Sequence, residues 1–152
     1  MTCLFTRRSA AVLLSLVLGG IAAAPQGRAE ALVRIGSNSG GRIGDFMGRL
    51  VSYRQNGTQV QFTGSCDSAC TLLLALPRNQ SCVSNGAVFR FHAPTGGSAA
   101  TSAAARAYMM GKYPGWVRSW ISSHHGLTRQ LISMDYAYAS RFMRNCDEVA
   151  SR

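Results

Sequence analysis

Residues 64–77 of the chain read Gly-Ser-Cys-Asp-Ser-Ala-Cys-Thr-Leu-Leu-Leu-Ala-Leu-Pro, a turn of small residues followed by an apolar run. The pattern predicts a buried helix that begins at Ser68 and ends at Pro77. Backbone N–H groups at the start of a helix have no partner inside it, and they can hold an oxyanion once the serine attacks a carbonyl. A serine at this position is also a common helix N-cap with no chemical role. Taken alone, Ser68 favours the N-cap interpretation.

A histidine follows in the next strand-like segment. Residues 89–94 read Phe-Arg-Phe-His-Ala-Pro, and they predict a strand over 87–92 that ends at His92. A histidine brought close to Ser68 could accept the proton of the serine hydroxyl as a general base. The alternative is an ordinary residue at the end of a strand.

Strands and helices alternate around these two residues. A short strand is expected over 31–35, then a helix between Gly40-Gly41 and Asn56-Gly57, then a strand over 58–62. Repeated strand–helix–strand units predict an α/β fold, with a mostly parallel sheet covered by helices. Sites in such folds gather at the carboxyl ends of the strands, where Gly41, Ser68 and His92 all fall. The first helix is expected to bury one apolar stripe, formed by Ile43, Phe46, Met47, Leu50 and Val51.

The C-terminal half predicts a flexible Gly/Ala/Ser connector over 96–102 and a helix over 103–110. A second amphipathic helix is expected after Pro114. Residues 132–143 predict a last helix or turn that leads to a short strand ending at Cys146.

Three small motifs occur in a fixed order: Gly40-Gly41 after a strand, Ser68-Ala69 in the small-residue turn, and His92-Ala93-Pro94. This order resembles the proteolytic subunit of the Clp protease and its crotonase-like superfamily, over residues 31–97 well and over 114–144 more loosely. The chain resembles still more closely a set of small exported Clp-like bacterial proteins with the motif Cys-x-Ser-Ala-Cys-Thr. The resemblance implies repeated β-α units with a mostly parallel sheet, truncated relative to a full Clp subunit.

Catalytic roles follow from this resemblance residue by residue. Ser68 would be the nucleophile and His92 the general base, and the backbone N–H groups of Gly41 and Ala69 would form the oxyanion hole. Such a site makes and hydrolyses an acyl-enzyme, most naturally from a peptide. The substrate would be a peptide or protein, and no cofactor is implied.

The residue that orients the histidine is not evident. In the Clp family this residue is an aspartate after the long helix, and here the alignments place Arg129, or else Ala139 or Ser140, at that position. Asp135 lies nearby in the sequence, although neither alignment selects it, and Asp67 is a second acid that could serve. A serine–histidine dyad without an acid is another alternative. The remaining one is a degenerate site that binds peptides without cutting them.

Two functions are therefore open. The first is an extracytoplasmic, ATP-independent serine hydrolase, specifically a peptidase. The second is a catalytically degenerate Clp-like domain that serves as an envelope peptide-binding or interaction protein. The insertion through which Clp subunits stack is short here, which argues against a double-ring chamber and leaves a smaller homo-oligomer possible.

The N-terminal residues 1–29 have the pattern of a secretory signal. Arg7 and Arg8 precede an apolar run over 10–24, and small residues follow, so cleavage is expected after Ala29 or Ala24. The alternative is a retained anchor, but the run is shorter than the roughly 20 residues that span a bilayer. The sequence thus predicts an exported protein, periplasmic or secreted, with no stable membrane anchor after cleavage. Residues 30–152 would form a single domain.

The chain is strongly basic, with 16 Lys and Arg against 6 Asp and Glu and a formal net charge of +10. A basic protein can bind nucleic acid, but these arginines are scattered singly rather than clustered. No nucleic-acid partner is expected, and solubility is the simplest explanation of the charge. Anionic envelope polymers or lipids are the alternative partners.

Cysteine usage agrees with export. Cys3 lies in the predicted signal, and an even number remains in Cys66, Cys70, Cys82 and Cys146, as is typical of disulfides in an oxidising compartment. No metal site is expected, because there is no Cys-x2-Cys pair and His124-His125 lacks the i, i+4 spacing of a ligand pair. Four cysteines allow three connectivities. The resemblance favours Cys82 with Cys146, which leaves Cys66 and Cys70 on either side of Ser68, paired or free.

Overall fold

A computed structural model of the chain describes residues 31–150. The predicted signal peptide and both of its cleavage sites lie outside the described residues. The described chain folds as six strands with helices between them. The strands are β1 (Leu32–Asn38), β2 (Gln59–Asp67), β3 (Ser81–Val83), β4 (Val88–Phe91), β5 (Ile132–Asp135) and β6 (Arg144–Asn145). The α-helices are α1 (Ile43–Asn56), α2 (Ala99–Lys112), α3 (Gly115–Ser123), α4 (Tyr136–Ala139) and α5 (Cys146–Ala150), and 3₁₀ helices span Ser68–Ala75 and Arg78–Gln80.

The strands form one mixed sheet in which β2 is the central strand. β1 pairs with β2 along one edge, and the other edge is divided between β3, opposite Val60–Phe62, and β4, opposite Ser65–Asp67. These three pairings are parallel, as is β3 with β6, whereas β5 runs antiparallel to β4. Because two different strands pair with successive halves of one edge, the sheet curls along β2. The structure thus confirms the predicted α/β class, with a sheet that is mixed.

Gly64 lies at the point where β2 passes from one partner to the other. A Cβ atom at this position would overlap the carbonyl oxygen of Gly36 on β1, so only glycine allows the two backbones to approach so closely. The register of the β1–β2 pair also shifts at this level, between Ile35 and Ser37. The carboxyl-terminal half of β2 is thereby bent toward β4.

The core lies between the sheet and the helices on its faces. Val60 and Phe62 alternate inward on β2 and are buried, as expected, and the Phe62 ring meets Phe89 edge to face. The first helix buries Phe46 and Leu50 of the predicted stripe, but Val51 at its margin is 48% exposed. Further core residues come from the 3₁₀ helix and the C-terminal half: Leu72, Leu73, Phe91, Met109, Tyr113, Val117, Ile121 and Met134.

Three secondary-structure predictions need correction. The helix that starts at Ser68 is 3₁₀ rather than α and ends at Ala75. The predicted connector over 96–102 instead contains the start of α2, because the Ser98 hydroxyl caps the helix by accepting from the Thr101 N–H at 3.2 Å, and alanines, the best helix formers, follow. Residues 132–143 open with strand β5 before the short helix α4.

Both cysteine pairs are disulfide-bonded. Cys82 pairs with Cys146, with 4.9 Å between their Cα atoms, which is the pairing that the resemblance favours. This bond joins β3 to the first residue of α5. Cys66 pairs with Cys70 across Ser68, with a Cα separation of 5.4 Å. Within residues 31–150, none of the helices has the length and apolar character needed to cross a membrane.

Candidate functional site

Three of the predicted site residues line one cavity. Ser68 follows the last residue of β2, His92 follows the last residue of β4, and Gly41 lies in the loop after β1. These strands are parallel neighbours, so their carboxyl ends meet at the same edge of the sheet. The cavity has a volume of about 350 Å³, and its lining consists of Gly41, Arg42, Ile43, Ser68, His92, Pro94, Thr95 and Met109.

Ser68 has an unusual backbone conformation. Its φ of 55° lies in the left-handed region, which a residue other than glycine seldom adopts. The N-cap position belongs to Asp67 and not to Ser68, and the Ser68 hydroxyl makes no hydrogen bond to any described residue. The N-cap explanation of this serine therefore does not apply. The turn between β2 and the 3₁₀ helix instead places the half-buried Ser68 side chain at the cavity, with a hydroxyl that is not hydrogen-bonded to any described residue.

The Cys66–Cys70 disulfide closes the turn around this strained residue. Both cysteines are completely buried, and the three residues between them, including Ser68, have little room to rearrange. Strained backbone persists only where its surroundings fix it, and this bond is one such constraint.

Two hydrogen bonds in series fix the position of the Ser68 carbonyl. The Thr71 hydroxyl donates to the Ser68 carbonyl oxygen at 2.6 Å, and the Tyr113 hydroxyl lies 2.6 Å from the Thr71 oxygen, to which it must then donate. Thr71 and Tyr113 are both buried. Burial raises the pKa of the Tyr113 hydroxyl above its ordinary value, and the hydrogen bond to Thr71 opposes this only in part. The tyrosine is thus a neutral donor that helps to fix the turn.

The loop between β1 and α1 packs directly against Ser68. Gly40 has a φ of 87°, and its N–H donates to the Asn38 side-chain oxygen at 2.9 Å. A Cβ at Gly40 would lie 2.7 Å from the Ser68 Cβ, so no side chain fits there. The sequence identifies Gly40 as part of a Gly-Gly motif but gives no indication that it contacts the candidate site. Gly40 brings the backbone of Gly41 beside the serine.

The amides predicted to form the oxyanion hole flank the serine on two sides. Gly41 lines the cavity, whereas Ala69 is the buried residue directly after Ser68. The Ala69 N–H belongs to the first turn of the 3₁₀ helix, where amides have no acceptor inside the helix. Of the two residues predicted to form the oxyanion hole, Gly41 therefore lines the cavity with Ser68, and Ala69 is not among the residues that line it.

His92 is oriented by the main chain. Its Nδ1 lies 2.7 Å from the carbonyl oxygen of Ala93, and a carbonyl only accepts, so Nδ1 carries the proton. In the neutral ring this leaves Nε2 as the acceptor, which is the tautomer that a general base requires. Ala93 is itself held, because its N–H donates to the Thr128 carbonyl at 2.6 Å. The Ala93 carbonyl thus makes the hydrogen bond to Nδ1 that an acid makes in a triad, and a backbone oxygen leaves no signal in a sequence.

The candidate acids lie elsewhere. Asp67 forms an ion pair with Arg90, its neighbour across the β2–β4 pair, at 3.2 Å. Asp135 caps α4 by accepting from the Tyr138 N–H at 3.0 Å, and it lies opposite Val88, at the end of β4 away from His92. The structure therefore does not bring Asp67 or Asp135 to the histidine. Among the described residues, no carboxylate lines the cavity.

Ser68 and His92 share the cavity without a hydrogen bond between them in the described structure. Catalytic hydrogen bonds are often long in unliganded sites and tighten when substrate binds. Across the described residues, no group of three or more His, Cys, Asp or Glu side chains could hold a metal ion.

No model of a known protein family matches the chain, and no curated protein matches it in sequence. The chemistry of the Ser68 cavity is therefore the basis on which a function can be assigned.

Proposed function

We propose that the protein is an ATP-independent serine hydrolase that acts on peptides outside the cytoplasm. Ser68 is the nucleophile, His92 is the base, and the Ala93 carbonyl replaces the acid that orients the base in a triad. One observation carries the proposal. An unengaged serine in a left-handed turn shares a cavity with a histidine whose Nδ1 is hydrogen-bonded and whose Nε2 is free to accept.

The reaction proceeds by covalent catalysis. Ser68 Oγ bonds to the peptide carbonyl carbon while its proton passes to His92 Nε2, and the carbonyl electrons move to the oxygen. The Gly41 and Ala69 amides stabilise this oxyanion. When the C–N bond breaks, the leaving amine takes the proton from His92 and the acyl-enzyme remains. Water then attacks the ester, losing a proton to His92, and the hydroxyl of Ser68 is restored as the acid product leaves.

The fold and the location of the protein belong to the same proposal. A Clp-like, crotonase-like architecture is supported by the parallel order of β1, β2 and β4, which brings three loops to one cavity. Export is supported by the signal pattern over 1–29 and by two disulfides, which form and persist in oxidising compartments.

A second candidate function is peptide binding without cleavage. It is favoured by one observation, namely that within residues 31–150 the partner of His92 Nδ1 is a backbone carbonyl and not a carboxylate. In a complete triad, replacing the acid lowers the rate by about 10⁴-fold even when the geometry survives. A backbone carbonyl fixes the tautomer but brings no full negative charge to stabilise the imidazolium, so we expect slow turnover.

Labelling with a fluorophosphonate probe, followed by mass mapping of the modified peptide, tests the hydrolase. The wild type is expected to be modified at Ser68, and Ser68→Ala to take up no probe while keeping its circular dichroism. His92→Ala should label at least about 100-fold more slowly, because the neutral hydroxyl is a poor nucleophile without its base.

Two control variants sharpen this test. Ser65→Ala removes a hydroxyl that is hydrogen-bonded to the Ser37 hydroxyl, and this variant should label like the wild type. Asp135→Asn keeps a helix-capping side chain and should also label normally; a steep loss there would restore Asp135 as the orienting acid. If the folded wild type takes up no probe at any pH between 5 and 9, while peptides still bind, the hydrolase is excluded and the binding function stands.

A further inference from the structure

A second cleft lies beside the Ser68 cavity, and we call it the arginine cleft. It has a volume of about 350 Å³, and the loop after β4, the first turns of α2 and the segment before β5 form its walls. The Ser68 cavity and the arginine cleft share Pro94 and Thr95 as a common wall. The two cavities are therefore adjacent on the loop after β4.

The arginine cleft carries uncompensated positive charge. Arg106 and Arg129 both line it, and within the part of the chain that the structure describes no acidic residue lines either this cleft or the Ser68 cavity. Among the described residues, Arg129 has no hydrogen-bond or ion-pair partner. Arg106 makes one long bond, 3.5 Å to the Leu127 carbonyl. By contrast, Arg90 on β4 forms an ion pair with Asp67 on the neighbouring strand β2.

Guanidinium groups in a concave site recognise carboxylates well. An arginine offers a planar fork of N–H donors that matches the two oxygens of a carboxylate, and such charge-assisted bonds are about twice as strong as neutral ones. Scattered arginines on an open surface are ordinarily solvated. Arg106 and Arg129 are exposed as well, but both line one cleft, and that cleft shares a wall with the candidate active site.

We infer that the arginine cleft binds a carboxylate of the peptide substrate, close to the acyl group that Ser68 attacks. The inference rests on the proposed function and names its substrate class as peptides with an acidic group next to the scissile bond. That group is either the free C-terminal carboxylate or the side chain of Asp or Glu.

Equilibrium binding to purified Ser68→Ala protein tests the arginine cleft without any dependence on turnover. The probes are fluorescein-labelled penta-alanine with a C-terminal carboxylate or a C-terminal amide, and amidated peptides in which Glu or Gln replaces each alanine in turn. We expect at least one acidic peptide to bind about 10-fold more tightly than its neutral twin, as charge-assisted hydrogen bonds would give. The C-terminal pair and the Glu/Gln pairs distinguish the two sources of the carboxylate.

Substitutions of the two arginines test whether the preference for acidic peptides arises in the arginine cleft. Added to Ser68→Ala, Arg129→Gln should remove most of the acidic preference, and so should Arg106→Gln, with Arg106→Lys retaining part of it. Arg78→Gln changes an exposed arginine that lines neither cavity, and should leave the preference intact. Equal binding of acidic and neutral peptides, or none up to about 1 mM, would overturn the inference. So would an equal effect of Arg78→Gln, which would indicate only the overall charge.

The two proposals can fail separately. If the wild type is labelled by fluorophosphonate but shows no acidic preference, the arginine cleft is rejected and the hydrolase remains. If acidic peptides bind through Arg129 but the wild type takes up no probe, the hydrolase is rejected and the carboxylate site remains.

Discussion

At the scale of single residues, the Tyr113 hydroxyl links the core to the turn that contains Ser68. It reaches the Ser68 carbonyl through Thr71, so the tyrosine and the serine can move apart only if one of two hydrogen bonds of 2.6 Å breaks. Buried hydroxyls satisfied in this way contribute about 1 kcal/mol each, and they also specify one geometry. The position of Ser68 is thus controlled from α2's C-terminal end as well as from the sheet.

Tyr113→Phe should therefore lower the free energy of unfolding by about 1 kcal/mol at neutral pH. The raised pKa of Tyr113 means that folding favours the protonated hydroxyl, so its contribution is intact below about pH 10, the ordinary tyrosine value, and is lost as the pH rises further. The stability difference between wild type and Tyr113→Phe should narrow above that pH. Urea unfolding between pH 7 and 11 measures it, with the exposed Tyr108→Phe as control. A difference that stays constant with pH would contradict this role.

The alternation of strands and helices could predict that Ser68, His92 and Gly41 lie at the carboxyl ends of strands. Their catalytic roles, however, follow from the resemblance and not from the residue types alone. Gly40 and the Ala93 carbonyl could not be assigned roles. Gly40 acts through a positive φ and through the absence of a Cβ, and Ala93 acts through its main chain. Neither property depends on a side chain whose chemistry can be read from the sequence.

At the scale of elements, β2 determines where the site forms, because it carries Ser68 and pairs with three other strands. Gly64 permits the close approach of β1 at the bend of this strand. The alternation of apolar residues predicted the first half of β2, over 58–62, but not its continuation to Asp67. Gly64 and Ser65 have low strand propensity, and pairing with β1 and β4 overrides it.

Gly64→Ala should destabilise the protein by at least about 2 kcal/mol, since the added methyl group must displace the β1 backbone. The matched control is Gly48→Ala on an open face of α1, where nothing lies within 4 Å of the new Cβ. That substitution should stabilise by about 0.5–1 kcal/mol, because alanine is the better helix former. Chemical denaturation of both variants measures the contrast. A Gly64→Ala protein as stable as the wild type would show that β1 and β2 do not approach closely at this point.

At the scale of the whole molecule, the α/β class follows from the alternation of strands and helices, whereas the mixed sheet does not. Strand β5 is only four residues long, and its antiparallel pairing with β4 depends on the return of the chain after α3. Short strands of this kind carry too few residues for a periodic signal. The arginine cleft could not be predicted for the same reason, because it forms where the chain before β5 meets the loop after β4.

The two disulfides are expected to have different roles, one mainly in the stability of the whole molecule and the other mainly in the geometry of the candidate site. Their cysteines are 64 and 4 residues apart in sequence, so chain entropy assigns about 4 kcal/mol to the Cys82–Cys146 bond and about 2 kcal/mol to the Cys66–Cys70 bond. Removing the first as Cys82→Ala with Cys146→Ala should cost more stability yet leave fluorophosphonate labelling of the folded fraction close to that of the wild type. Removing the second as Cys66→Ala with Cys70→Ala should cost less stability. It should nevertheless slow labelling by at least about 10-fold, because the disulfide no longer constrains the left-handed backbone of Ser68. Urea unfolding and labelling rates on the same preparations give both quantities. If labelling fell only in proportion to the unfolded fraction in both variants, the Cys66–Cys70 bond would have no role in positioning Ser68.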